Sequence, residues 1–357
     1  MENVNVINLS HKQFLEANRN YEKTAIAAKL HYVNVNEPGI CRIKKGKGFY
    51  YVYEGKTVKE RDQIDRIQKL AIPPAWENVW ICKLENGHIQ ATGFDIRKRK
   101  QYRYHAFWSF FRNETKFHHL YEFGKVLPQL RLRMEKDLST KELTQDKVLA
   151  AVLSLMERTY IRIGNYGYEK MNGSYGITTM KNKHVEIEGD KIFFSFKGKK
   201  GIYHNITLKN KKLARIVKEC RDMPGKELFQ FYDTEGNRKS IDSGMVNNYL
   251  QESTGMDFTA KDFRTWAGSL HALHALRSIG QALTETEKKK NVVSMLDMVS
   301  EKLGNTRTVC RKYYVHPGLI KLYEENKLND MDNFEEKDGK SGLAPEEGML
   351  MHVLKSS

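Results

Sequence analysis

Thr144-Gln145-Asp146-Lys147-Val148-Leu149-Ala150-Ala151-Val152-Leu153-Ser154-Leu155-Met156-Glu157-Arg158-Thr159-Tyr160, running on into Ile161-Arg162-Ile163-Gly164-Asn165, decides the fold class of this chain. Val148, Leu149, Val152, Leu155 and Met156 recur at the spacing of a helix with a buried face. A cation follows at once. Arg162 stands between two isoleucines at the end of this apolar helix, where burial demands a partner, either a carboxylate or a phosphate.

Helical periodicity extends to both sides, over 107–120, 127–136 after Pro128, 211–221, 243–253, 263–276, 286–303 and 309–313. A β-insert interrupts it. Residues 184–187 and 191–196 flank a Gly189-Asp190 turn, and the basic turn 197–201 leads into 202–208. Towards the N-terminus strands take over: 39–58 alternates basic turns with Phe49-Tyr50-Tyr51-Val52-Tyr53, and 79–83 and 88–92 flank Asn86-Gly87. One short amphipathic helix, 62–70 with Ile64, Ile67 and Leu70 inward, stops at Pro73-Pro74. The expected class is α+β: a small β-rich N-terminal domain over 1–105, then a larger, mainly α domain with a β-hairpin insert over 106–323.

Sixty Lys and Arg stand against 44 acids, a net +16 over 357 residues. Such a balance suits a polyanionic partner, because neutralising phosphates releases condensed counterions. Residues 324–357 hold nine acids against four Lys, net −5, so the preceding body is more basic than the total suggests. That segment reads as a disordered acidic tail closing with a short Met-rich helix near Met349 to Leu354. Cys41, Cys82, Cys220 and Cys310 form no C-x-x-C pair, which argues against a zinc site or a disulfide framework. The first ten residues lack a charged start and an apolar core, and no run approaches 18 apolar residues, so the expectation is a soluble, cytoplasmic protein with no membrane contact.

Chemistry gathers around Leu303-Gly304-Asn305-Thr306 and Arg311-Lys312-Tyr313-Tyr314-Val315-His316-Pro317, where Tyr314 stands nine residues after Asn305 and is ringed by cations. A free phenol, with pKa near 10, attacks a phosphodiester poorly at neutral pH unless nearby positive charge favours the phenolate. Three cations are candidates to supply it. Arg162 is one; Lys199, in the turn Lys197-Gly198-Lys199-Lys200-Gly201, can reach into a groove and protonate a leaving oxygen; Arg264, in Lys261-Asp262-Phe263-Arg264-Thr265-Trp266-Ala267-Gly268, offers a bidentate fork. Each also has a plain structural reading, as an ion pair or a solvated turn.

The order Arg162, Lys199, Arg264, Asn305, Tyr314 resembles a type IB DNA topoisomerase of the bacterial and poxvirus branch. The likeness covers roughly residues 30–323: Ala71-Ile72-Pro73-Pro74-Ala75-Trp76, Ala91-Thr92-Gly93-Phe94-Asp95 and Gln101-Tyr102-Arg103-Tyr104-His105 in the first domain, RIGN, SYGITT, KDFRTWAG and LGNT…YVHP in the second. The resemblance implies a C-shaped clamp on duplex DNA, with Tyr314 forming a 3′-phosphotyrosyl bond. Arg162 and Arg264 would then stabilise the pentacoordinate phosphorus, and Lys199 would protonate the 5′-oxygen. Asn305 departs from the poxvirus members, which carry histidine there; an amide donates one hydrogen bond but no charge. Tyr313 is a rival nucleophile that the spacing to Asn305 and the following Val-His-Pro disfavour.

The resemblance further implies a monomer, associated with the nucleoid, that needs neither metal nor nucleotide cofactor, because transesterification keeps the phosphodiester energy in the enzyme bond. In Arg97-Lys98-Arg99-Lys100-Gln101-Tyr102-Arg103-Tyr104 it places Gln101, Tyr102 and Tyr104 against the major groove, with the Lys and Arg on phosphates and Tyr168 touching the backbone. Two other readings stand beside it. A tyrosine recombinase shares the Arg, Lys, Arg, Tyr order but normally has His-x-x-Arg at the second arginine, where this chain has Lys261, and a helical N-terminal domain. A non-enzymatic DNA clamp would need only the basic surface.

Overall fold

In the N-terminal unit, which runs to His119, the β-formers pair into one antiparallel sheet of six strands in the order β3-β2-β1-β4-β5-β6. They are β1 (Ile40–Lys45), β2 (Gly48–Tyr53), β3 (Lys56–Thr57), β4 (Glu77–Ile81), β5 (Ile89–Phe94) and β6 (Lys100–Tyr104), with α1 (Tyr21–Ala27) ahead of them and α2 (Arg61–Lys69) between β3 and β4. The computed structural model describes residues 20–46, 48–328 and 342–356. The first ten residues and 329–341 of the acidic segment therefore lie outside the described residues.

α2 lays Ile67 on the sheet among Ile40, Val79, Ile81 and Ala91, with Ile72 and Trp76 at the edge of this core. Two prolines remove N–H donors from the Ile72-Pro73-Pro74-Ala75-Trp76 loop, which keeps the bond from Trp76 N–H to Pro73 O at 3.1 Å. Arg42 supplies further donors, to the carbonyls of Ile72, Pro73 and Trp76 at 3.1, 2.9 and 2.8 Å. β6 is a strand that period-2 reading missed, since Lys-Gln-Tyr-Arg-Tyr lacks apolar alternation. Its partner supplies the order: Gln101, Tyr102 and Arg103 sit opposite Gly93, Thr92 and Ala91 of the buried β5.

The second unit starts at Leu120, inside α3 (Ala106–Leu138), and continues with α4 (Gln145–Thr159), α5 (Tyr166–Asn172), β7 (Val185–Glu188), β8 (Lys191–Lys197), β9 (Tyr203–Lys209), α6 (Lys211–Arg221), β10 (Gln230–Tyr232), β11 (Arg238–Ser240), α7 (Ser243–Thr254), α8 (Ala260–Ile279), α9 (Glu285–Leu303), α10 (Arg307–Tyr313), α11 (Pro317–Glu324) and α12 (Pro345–Ser356). The architecture is thus mixed α and β, a small sheet unit and a larger helical one. The insert proves to be three antiparallel strands, β7-β8-β9, rather than a single hairpin.

Two helices expected on either side of Pro128 are in fact one. A proline inside a helix costs about 3 kcal/mol through a lost hydrogen bond and a clash. Leu120, Phe123, Leu127, Leu130 and Met134 are all buried along the same helix, each contributing roughly 1.5–3 kcal/mol. Burial wins. α4 also goes beyond its expected single buried face: every residue from Lys147 to Met156 is buried. Thr144 caps its N-terminus, and Tyr160, left-handed at φ +57°, ends it.

The Met-rich helix expected near Met349 to Leu354 is present as α12, longer than expected and packed rather than free. α12 buries Met349, Leu350, Val353 and Leu354 and packs on α8 and α11. Its Glu347 is only 4 % exposed and meets the Arg131 fork at 2.7 and 2.8 Å, the Trp266 indole at 3.2 Å and the Ala344 N–H at 2.9 Å. Burial pushes this carboxyl up, but Arg131 and the other donors more than offset it and hold it below the usual range. A group so depressed contributes stability above its ordinary pKa of about 4.3 and loses it as pH falls through the lower folded value. Glu347→Ala should therefore lower stability by about 2 kcal/mol at neutral pH, read as a fall in Tm, and the difference from the parent should shrink below about pH 4. A gap that stays constant into acid would reject this account.

Candidate active site

The site is built on the carbonyl end of α9. Gly304, at φ +56°, turns the chain so that its N–H returns to Glu301 O at 3.2 Å and the Asn305 N–H returns to Ser300 O at 3.0 Å. The carbonyls of Leu303 and Gly304 are left facing two guanidinium groups. Arg264, from α8, donates to Leu303 O at 2.6 Å and to Tyr160 O. Arg162 donates to Gly304 O at 3.0 Å and to Asn305 Oδ1 at 2.5 Å. The negative end of the helix dipole favours both.

Sequence reasoning required a carboxylate or a phosphate for a buried Arg162. Neither is present. Among the described residues no carboxylate pairs with Arg162 or Arg264, and backbone carbonyls take the place of the expected anion. Burial, then the neighbouring Arg264 charge, pushes Arg162 down to about 10, so it stays charged at neutral pH. Burial likewise pushes Arg264 down, against the pull of Tyr314. Two donors point nowhere: Arg264 Nε and Asn305 Nδ2 are buried without an acceptor. Buried unpaired donors are costly, and beside two uncompensated cations they describe a hole for an oxyanion.

Tyr314 enters this hole from the end of α10, whose N-terminus Thr306 caps. A Cβ on Gly268 would stand 2.6 Å from Tyr314 O and 2.7 Å from Tyr314 Cβ, so only glycine lets the tyrosine backbone lie on α8 at that point. Ser269 Oγ then donates to Tyr314 O at 3.1 Å and accepts the His316 N–H at 3.1 Å. The Arg264 guanidinium lies 5.4 Å from the Tyr314 ring centre and hydrogen-bonds its phenol. Tyr313 stays outside this set, 37 % exposed under the Lys312 ammonium at 5.3 Å.

The RIGN and SYGITT boxes interlock. Ile177 N–H donates to Arg162 O at 2.8 Å and Thr178 N–H to Ile163 O at 2.7 Å. A Cβ on Gly176 would fall 2.5 Å from Arg162 O. Lys199 lies in the turn between β8 and β9, exposed and with no partner for its ammonium among the described residues. It lines a cavity of about 520 Å³ together with Arg158, Tyr160, Arg162, His204 and Lys302. The structure thus joins Arg162 to Asn305 and Arg264 to Tyr314 by direct contacts, sets the two arginines on the adjacent carbonyls of Gly304 and Leu303, and brings in Lys199 through the cavity wall that it shares with Arg162.

His204 is the residue that motif reading passed over. Its ring stacks on Phe196 at 5.2 Å and reaches both Gly198 and Gly304. Burial first, then Arg162 and Arg264, push its pKa down. A signal was available in the sequence, since His204 shares strand parity with Ile206 and Leu208, the inward residues of β9.

The sequence-derived DNA-binding residues lie in the other unit, except Tyr168, which is exposed on α5 and does not line the cavity. Several of the cations are occupied by partners within the N-terminal unit. Arg99 pairs with Asp95 at 2.7 Å, Lys98 with Glu77, and Arg103 donates to Ala71 O at 2.8 Å. Gln101 donates to Asp95 at 3.1 Å, while Arg97 N–H also bonds Asp95 at 2.9 Å. Tyr102 and Tyr104 stack at 5.8 Å with both rings exposed, and Lys100 stands over Tyr102.

Comparison with known proteins gives these features a family. The profile described as "Eukaryotic DNA topoisomerase I, catalytic core" matches residues 98–338, and that of "Bacterial DNA topoisomerase IB, N-terminal domain" matches residues 48–95. The DNA topoisomerase 1B of Acanthamoeba polyphaga mimivirus is 35 % identical over 296 residues, 81 % of this chain and 88 % of the viral protein. That of vaccinia virus (strain Copenhagen) is 23 % identical over 243 residues, 67 % of this chain and 74 % of its own. The DNA topoisomerase I of monkeypox virus gives the same identity and coverage. A β-rich unit joined to a helical unit that gathers two arginines on a tyrosine defines the class as a DNA topoisomerase. The chain belongs to the type IB DNA topoisomerase family. The matches do not favour the recombinase or the non-enzymatic clamp.

Guanidiniums without a counter-charge predict that a tetrahedral oxyanion stabilises the DNA-free protein. Orthovanadate at constant ionic strength should raise Tm in proportion to its occupancy, and Arg264→Ala should lose most of that rise. An equal rise in both proteins would place the anion elsewhere.

Proposed function

We propose that this protein relaxes positive and negative DNA supercoils by transient cleavage of one strand through a 3′-phosphotyrosyl intermediate at Tyr314, strand rotation and religation. The observation that carries this reading is that Arg264 lies over the Tyr314 ring while Arg162, bound to Asn305, holds the neighbouring carbonyl of the same helix end, with no carboxylate among them. Such a pocket is complementary to a phosphorane rather than to any group of the free protein.

In the cleavage step the Tyr314 oxygen forms a bond to phosphorus as the P–O5′ bond breaks. The phenolic proton passes to water. The Lys199 ammonium gives a proton to O5′, so the departing strand ends in a 5′-hydroxyl and the charges balance. Arg162 and Arg264 bind the non-bridging oxygens, and the free Asn305 Nδ2 donates a further hydrogen bond. Religation reverses each transfer. Because one phosphodiester is exchanged for another, no nucleotide is consumed, and the guanidiniums supply the electrostatic stabilisation.

Duplex DNA is the partner in this reading. The N-terminal unit presents Tyr102, Tyr104, Gln101 and Lys100 to the groove, and the two units together act as a clamp with Tyr168 on the backbone. Arg97, Lys98, Arg99 and Arg103 shape this surface as well as adding charge. The protein works as a monomer on nucleoid DNA. No helix among the described residues is long and apolar enough to cross a membrane.

Supercoiled plasmid incubated with the protein in EDTA without ATP should relax from either sign of supercoiling, and Tyr314→Phe should form no covalent adduct. Cleavage by Tyr314→Phe would move the nucleophile to Tyr313, and unchanged topoisomers with the parent protein would sink the reading. Removal of either arginine should slow cleavage about 10²–10³-fold and Lys199→Ala about 10²–10⁴-fold. Raising salt should weaken DNA binding steeply.

A further inference from the structure

His204 occupies space that two glycines leave open. It sits opposite Phe196 in the β8–β9 register, stacked on that ring at 5.2 Å and 23°. A Cβ on Gly198 would stand 2.6 Å from His204 Cδ2, and one on Gly304 would stand 2.7 Å from His204 Cε1. The residues that follow these glycines are Lys199 and Asn305. Gly304 O also accepts Arg162 at 3.0 Å. One ring, held from behind by Phe196, therefore touches the base of the lysine turn and the carbonyl end that holds the arginine.

The turn needs such a tether. Its own hydrogen bonds, Gly198 N–H to Ile202 O at 2.7 Å and Gly201 N–H to Gly198 O at 3.1 Å, fix its shape but not its place relative to α9. Lys199 and Lys200 at its tip are exposed. We propose that His204 is a positioning residue that sets Lys199 against Arg162 and Asn305 by wedging between Gly198 and Gly304. An imidazole suits the place because it is flat enough for both glycines, and its neutral form adds no third cation beside Arg162 and Arg264. Misplacing a catalytic group by about 1 Å costs on the order of a hundredfold in rate, so the effect is measurable.

This rests on Lys199 acting as the acid toward O5′, and the experiment separates the two ideas. Single-turnover cleavage is measured on ordinary duplex DNA and on the same duplex with sulfur in place of the bridging O5′, whose thiolate departs without a proton. His204→Ala should slow cleavage of ordinary DNA roughly ten- to a hundredfold and cleave the sulfur substrate close to the parent rate, as Lys199→Ala does. Equal slowing on both substrates, or none on ordinary DNA, overturns the role of His204. A Lys199→Ala protein that stays slow on the sulfur substrate overturns the general-acid reading and the proposal built on it. Gly198→Ala gives an independent arm, because its backbone (φ −91°) accepts alanine while the new methyl displaces the ring. It should reproduce the sulfur-rescued defect, and adding it to His204→Ala should cost nothing further. A harmless or fully additive Gly198→Ala overturns the wedge.

Discussion

Two guanidiniums, Arg264 buried and Arg162 half-buried, resting on the carbonyl end of one helix are the constraint around which the rest of the helical unit is arranged. A buried arginine is ordinarily satisfied by a carboxylate, which cancels its charge as well as its hydrogen bonds. Here the carbonyls of Leu303, Gly304 and Tyr160 satisfy geometry while leaving the charge in place. The cost is visible in the depressed pKa of both arginines and in the unpaired Arg264 Nε and Asn305 Nδ2. A protein stores such strain where a ligand will relieve it, and a phosphodiester carries the complementary charge and shape.

Holding those carbonyls in place calls for close backbone approaches, and glycine makes them possible. Gly304 ends α9 in the left-handed conformation and presents the carbonyls. Gly176 lets the SYGITT turn come down on Arg162 O, and Gly268 lets Tyr314 lie on α8 beside its anchor, Ser269. Each motif glycine is thus explained by the atom that a methyl group would strike. The same helix that supplies Arg264 carries Trp266, which α12 grips through Glu347, so the C-terminal helix braces the element on which one arginine stands.

The N-terminal unit follows a different logic. Its basic loop spends Lys98, Arg99 and Arg103 on intramolecular partners, and what it offers outward is a pair of stacked tyrosines with Lys100 above them. Aromatic rungs on an edge strand pair with nucleic acid by contact rather than by charge alone. The net +16 is therefore a poor guide to which cations meet phosphate.

Sequence alone determined the mixed α and β character and nearly all helices of the second unit, and it nominated Arg162, Lys199, Arg264, Asn305 and Tyr314 as candidates, because periodicity and ordered motifs are local properties. It could not see through Pro128, where burial of Leu127 and Leu130 outweighs a local penalty, nor find β6, whose order comes from β5, nor foresee that α12 buries the end of an acidic segment. Only the tertiary structure decided what accepts the Arg162 hydrogen bonds and what lies between Lys199 and Asn305. Those answers, helix carbonyls and the ring of His204, depend on residues brought together from a hundred or more positions apart in sequence, and no spacing rule encodes a contact of that kind.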